Sequence, residues 1–248
     1  MKNLDLVELL ATCQPELVQT LRMLEEVFQF SDAPILLTGA VGCGKRTVAR
    51  RFGKVTGTFT EVDGYALEGM SWDAWRREIV SARGGVLFLN GLEMLETAQQ
   101  VCLLRTLESE PTVRLVASMN ETAGPMGTVN GMIGGTAENK GRNEGTSKSV
   151  GVHAGLWAWV SSWTFEFPQF AQRVDDWPIM LDQAVREWEI REREARRSKK
   201  KLEFQESARQ KYLRFAVSPE AAWTGNGYDL RASVTRLATL AEIRQKLE

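Results

Sequence analysis

Histidine is nearly absent from this chain: His153 stands alone among 248 residues. One imidazole cannot build a multi-histidine metal centre, and it disfavours a serine–histidine relay. Cysteine is also scarce. Cys13, Cys43 and Cys102 form an odd, scattered set without metal-ligand spacing, which reads as reduced thiols in a cytoplasmic protein. No apolar run approaches the roughly 20 residues that span a bilayer, so no membrane association is expected. The opening MKNLDLVELLATCQPELVQTL is amphipathic and lacks the basic start and uniform apolar stretch of a signal peptide. Excess charge is missing too. A formal net charge of -1 gives no general attraction to nucleic acid, and direct DNA binding is not expected.

What is present is the composition of an ordinary globular protein, 43% hydrophobic and 25% charged. The length suits one α/β core with a small helical appendage. Apolar residues recur at helical spacing over 5–30, and Pro15 divides that stretch into two helices. Ile35–Leu37, Thr58–Val62, Val86–Leu89 and Val113–Met119 read as strands, and Trp163–Phe167 as a last one. Helices are expected over Lys45–Phe52, over Ser71–Arg83 with Ser71 as its cap, and over Thr97–Glu108 with Val101, Leu104 and Leu107 on one side. This alternation specifies a parallel sheet flanked by helices. Residues 121–151 are rich in Gly, Asn, Ser and Thr and read as a long flexible loop. From Asp175 onward the chain reads helical, with a charged run at 186–201 whose simplest role is a solvated face, and final helices at 204–215 and 229–246.

One motif carries chemistry. Gly39-Ala40-Val41-Gly42-Cys43-Gly44-Lys45 has the spacing G-x-x-x-x-G-K, follows an apolar strand and opens a helix. Glycines let successive N–H groups curl toward phosphate oxygens, the helix N-terminus adds partial positive charge, and Lys45 supplies an ammonium. Arg46 stands where a magnesium-binding Ser or Thr is usual, and Thr47 comes one residue late. Cys43 reads as a small buried thiol.

The blocks PILLTGAVGCGKRTVARRF, GGVLFLNGLEMLETAQQVCLLRTLE, VRLVASMN and WTFEFPQFAQRVDDWP, in that order, resemble the AAA+ domain of sigma-54-dependent transcription activators. The stretch KYLRFAVSPEAAWTGNGYDLRASVTRLATLAE looks most like the branch regulating the bacterial RNA 3′-phosphate cyclase and ligase operon. The resemblance implies a P-loop NTPase core over 1–170 and a C-terminal α-helical lid over 171–248, with ATP as cofactor and Mg²⁺ beside it. It implies nucleotide contacts by Gly39, Ala40, Val41, Gly42, Cys43, Gly44, Lys45, Arg46, Thr47 and the sensor Asn120.

Several positions depart from the family together. Its acidic pair falls on Asn90 and Gly91, its arginine fingers on His153 and Trp159, and its lid arginine on Tyr228. Glu93 lies nearby in sequence and is expected to point elsewhere; Arg231 is a partial substitute in the lid. Arg173 and Asp176 match a basic–acidic segment of the family and read as a packing ion pair. The loop that grips sigma-54 has no counterpart between Lys45 and Asn90, and neither a sensor domain nor a helix-turn-helix is expected around the module. Three readings follow. One is an ATP-binding protein impaired in hydrolysis, serving as a nucleotide-dependent switch or a ring subunit in a homo- or hetero-oligomer with AAA+ or effector partners. The second is an active ATPase and transcription regulator of the sigma-54 type. The third is a nucleotide-free structural subunit. The tryptophans furnish either an interface or core packing.

Overall fold

A computed structural model describes residues 4–67, 70–120, 152–196 and 201–247. The glycine-rich segment 121–151 and the basic end of the charged run lie outside the described residues. The chain divides into two compact units. One comprises Met1–Gln29, Gly39–Val48 and Glu166–Glu248; the other comprises Phe30–Thr38 and Ala49–Phe165.

The second unit is built on a five-stranded sheet of β1 (Ile35–Gly39), β2 (Phe59–Asp63), β3 (Val86–Asn90), β4 (Arg114–Met119) and β5 (Thr164–Phe167), in the order β2-β3-β4-β1-β5. The pairs β2/β3, β3/β4 and β4/β1 are parallel. The apolar runs of β1, β3 and β4 are buried, with Leu36, Leu87, Phe88, Leu89 and Val116 showing no exposed surface, whereas β2 is mostly half-buried. That pattern fits a sheet covered on both faces. Parallel pairing brings the C-terminal ends of these strands to one edge, where Asp63 lies opposite Asn90 and Asn90 opposite Ser118. Open α/β sheets bind ligands at that edge.

Three helices belong wholly to this unit: α4 (Trp72–Ser81), α5 (Thr97–Ser109) and α6 (Ala154–Val160). Ser71 caps α4, its hydroxyl accepting from the Ala74 amide at 3.4 Å. On α5 the buried face differs from the expected one. It runs through Cys102, Leu103, Thr106 and Leu107, while Val101 and Leu104 are only half-buried. The cause is Gln100, which is drawn inward to donate to Leu95 O (2.9 Å) and accept from the His153 amide (2.6 Å). The helix from Lys45 runs to Thr56, one turn beyond its expected end.

The first unit is helical. α1 (Leu6–Leu9) and α2 (Pro15–Phe30) are separated before Pro15, as the proline dictates. Leu17, Leu21, Leu24, Val27 and Phe28 form the buried stripe of α2, each such side chain stabilising by about 1.5–3 kcal/mol. α7 (Trp177–Arg196), α8 (Glu206–Ala216) and α9 (Gly227–Leu247) enclose a core of Trp177, Leu181, Trp188, Trp223 and Val234. The Trp177 and Trp223 ring centroids are 4.5 Å apart, and Phe170 meets Trp177 edge-on at 6.1 Å. Four tryptophans, Trp75, Trp177, Trp188 and Trp223, are buried core residues. Among the described residues no helix is long and apolar enough to cross a membrane.

Candidate functional site

The glycine-rich turn leaves β1 at Gly39 and enters the helix Lys45–Thr56. Gly39, Gly42 and Gly44 have φ of 134°, 77° and 120°, values that side-chain-bearing residues rarely adopt. Space forbids a side chain as well. A Cβ would stand 2.5 Å from Phe167 O at Gly39 and 2.2 Å from Gly225 O at Gly42. The loop is therefore a backbone device whose shape only glycine permits. Lys45 is buried and donates to the carbonyls of Gly39 and, at 2.8 Å, Ala40, spanning the loop. The Cys43 thiol lies beneath, 3.8 Å from the ammonium and buried.

Two further segments of the same unit close on this loop. The turn preceding α9 is stitched to it: Gly227 N donates to Gly42 O (3.1 Å), and Asn226 Nδ2 to Val41 O (2.8 Å). Asn226 is buried, has a left-handed φ of 50°, and accepts from the Phe170 amide at 2.6 Å. Tyr228, where the resemblance implies a lid arginine, packs toward Gly42. From the other side comes the strap Leu9–Thr12. Leu10 sits against Gly44, its Cδ2 2.8 Å from where a Cβ would be.

Arg173 and Asp176 hold that strap. Arg173 donates to Asp176 Oδ2 (2.8 Å), Leu10 O (2.7 Å) and Ala11 O (3.1 Å). Asp176 accepts from the Thr12 hydroxyl and the Cys13 amide, both at 2.7 Å. Burial pushes the Asp176 carboxyl up, but the Cys13 amide, the Thr12 hydroxyl and the Arg173 guanidinium outweigh it, and the group titrates below the usual carboxylate range. The same hydrogen-bonded carboxylate raises the Cys13 thiol, with burial and nearby negative charge adding to it.

Between the strap, the glycine loop and the helices α7 and α9 lies a cleft of about 510 Å³, counting its open mouth. Gly42, Cys43, Gly44 and Thr47 form its loop side, and Leu9, Leu10, Phe170, Met180 and Leu230 its apolar wall. Arg173, Gln183, Glu187 and Arg231 supply its polar groups.

The second unit carries the other positions. At the strand ends Asn90 accepts from the Ser118 hydroxyl (3.0 Å) and donates to Asp63 Oδ2 (3.4 Å), while Gly91 N donates to Ser118 O (3.1 Å). An amide and a hydrogen atom thus stand at the two positions where the resemblance implies an acidic pair. Glu93 differs from its expected direction. The chain turns through a short 3₁₀ segment, Leu92–Met94, starting at Gly91 with φ 80°. That turn folds the Glu93 carboxylate inward, where it is buried and Oε1 accepts from the Asn120 amide at 3.1 Å. At the positions where the resemblance implies arginine fingers, His153 caps α6, its Nδ1 accepting from Gly155 N at 3.2 Å, and Trp159 packs half-buried against the core. Sequence reasoning missed Asn226 altogether. The signal available was an asparagine between two glycines, a turn that tolerates left-handed backbone.

A family model described as the sigma-54 interaction domain matches residues 14–127. The chain is 32% identical over 259 aligned positions to the transcriptional regulatory protein RtcR of Escherichia coli (strain K12), covering 94% of this chain and 45% of that protein. It therefore spans about half the length of that curated relative. The fold resembles crystal structures of NtrX from Brucella abortus in complex with ADP (TM-score 0.66, 19% identity, 95% of this chain and 52% of that one). A second likeness is to RuvB from Thermotoga maritima (TM-score 0.62, 14% identity, 94% of this chain and 65% of that one). Family match and relative agree that this chain is sigma-54 activator-like, and its fold is that of the NtrX and RuvB structures.

Proposed function

We propose that the chain binds ATP through Gly39–Thr47, with Asn120 in the sensor position, and turns it over slowly or not at all. It then acts in the cytoplasm as a nucleotide-dependent switch or ring subunit among AAA+ or effector partners. The NtrX structures, which hold ADP or ATP, support the choice of nucleotide. One observation carries the impairment: Asn90 and Gly91 end β3 as an amide and a bare backbone, hydrogen-bonded to Ser118. Loss of a general base alone removes a factor of about 100 to 10,000 in rate.

A magnesium ion would be recruited chiefly by the nucleotide's own phosphates. The hard oxygen donors at the strand ends are the Asp63 carboxylate and the Ser118 hydroxyl. Asn90, between them, is already hydrogen-bonded to both.

The deciding experiment is a calorimetric titration of ATP with Mg²⁺, alongside a phosphate-release assay. Saturable heat that disappears in Lys45→Ala, with little phosphate released, is the expected result. No heat in the parent protein would overturn the reading.

One observation favours an active ATPase instead. Glu93 places a buried carboxylate beside Asn120, and Asp63 places a half-buried one beside Asn90. On that reading Glu93→Gln abolishes a phosphate release that Lys45→Ala also abolishes, while leaving ATP binding intact.

A further inference from the structure

The nucleotide cleft is lined by two arginines among the described residues, Arg173 and Arg231, and their commitments differ. Arg173 is almost wholly buried and spends its guanidinium on Asp176, Leu10 O and Ala11 O. Moving it would release the strap. Arg231, on α9, has one ion pair, Nε to Glu187 Oε2 at 3.3 Å, with the two side chains 43% and 37% exposed. Such half-exposed pairs are weak and exchange readily. Glu187, on α7, does not wander: its Oε1 accepts from Gln183 Nε2 at 3.1 Å, and the same amide group donates to Leu9 O, also at 3.1 Å. A polar relay thus runs from the strap through Gln183 and Glu187 to Arg231 along one side of the cleft.

Resting on the nucleotide-binding reading, we propose that Arg231 is the lid cation for the phosphates of a bound nucleoside triphosphate, and that Glu187 is its resident competitor. Tyr228, at the inherited lid position, is neutral and packs toward Gly42. The loop side of the cleft is Gly42, Cys43, Gly44 and Thr47, so an anion entering there shares its cavity with Arg231. A polyphosphate carries several negative charges to Glu187's one. Arg231 changes partner when it arrives, and Glu187 keeps Oε1 on Gln183 while Oε2 is left to water.

The pair predicts opposite effects from its two halves. In calorimetric titrations of ATP into the full chain, Arg231→Ala is expected to weaken binding about tenfold, the scale of a lost charge-assisted hydrogen bond. Glu187→Gln, which keeps the hydrogen bond to Gln183 possible and removes the charge, is expected to tighten it about threefold. Adenosine, lacking phosphates, should be insensitive to both changes. If both variants weaken ATP binding alike, the pair is only a brace and the proposal is overturned. Unchanged ATP affinity in Arg231→Ala, with unfolding midpoints matching the parent, overturns it too. Should the parent itself bind no ATP, the failure lies with the nucleotide-binding reading, and that outcome is visible before either variant is made.

Discussion

Arg173 and Asp176 show what a matched charge pair does when sealed from water. Their side chains are 2% and 0% exposed, and between them they hold four consecutive residues, Leu10 to Cys13, by backbone or hydroxyl. Removing one member leaves the other charge buried alone. Asp176→Ala is therefore expected to cost about 3–5 kcal/mol, read as a fall in the urea midpoint at constant slope. The pH dependence follows from the sign of the shift. The folded carboxyl titrates below its unfolded value, so its contribution is complete above about pH 4 and is lost as pH falls through the lower, folded value. Asp176→Asn should flatten the acid limb of a stability–pH curve that in the parent declines below about pH 4. A curve of unchanged shape would show that other carboxylates dominate.

At the scale of elements, the phosphate loop is the feature most plainly written in the sequence and the least tolerant of change. Gly42→Ala meets both a left-handed φ of 77° and a backbone oxygen 2.2 Å from the new Cβ. Left-handed backbone alone costs roughly 1–2 kcal/mol for a residue with a side chain. A thermal melt should show a loss of at least that size, together with loss of ATP binding; a wild-type melt would mean the loop relocates freely. The buried strands were legible for a simple reason: uniform apolar runs of four or five residues between helical segments have few alternatives in a layered fold. The motif was legible because its spacing stands between an apolar strand and a helix, whereas what Asn90, Gly91 and Tyr228 replace is an expectation carried by the family resemblance alone. The contacts that close the site were not. Asn226 meets Val41 across 185 positions of sequence, and Leu10 meets Arg173 across 163, so no local pattern announces either. Glu93 was misjudged because a 3₁₀ turn, rather than a continuing loop, follows β3, and one left-handed glycine decides that. The buried face of α5 was misjudged because a buried glutamine, satisfied on both ends, took a place that apolar periodicity reserves for carbon.

For the molecule as a whole, the division into units runs across the order of the sequence. The sheet unit is drawn from the middle of the chain, whereas the other unit needs Met1–Gln29, Gly39–Val48 and Glu166–Glu248 together. Translation supplies these pieces far apart in time. At about 5–20 residues per second, the opening helices and the glycine loop wait several seconds or more for the lid. During synthesis the β3–β4 pairing can form early, because its partners are close in the chain. The loop's final shape cannot, since Gly227 N and Asn226 Nδ2 hold its carbonyls, and Asn226 is made 185 residues after Val41. Pulse-labelling exchange during refolding should accordingly protect amides of Val86–Asn90 before that of Gly227; the reverse order would mean the helical unit nucleates folding. A nascent chain would thus carry its glycine-rich turn long before the residues that clamp that turn's carbonyls had been made.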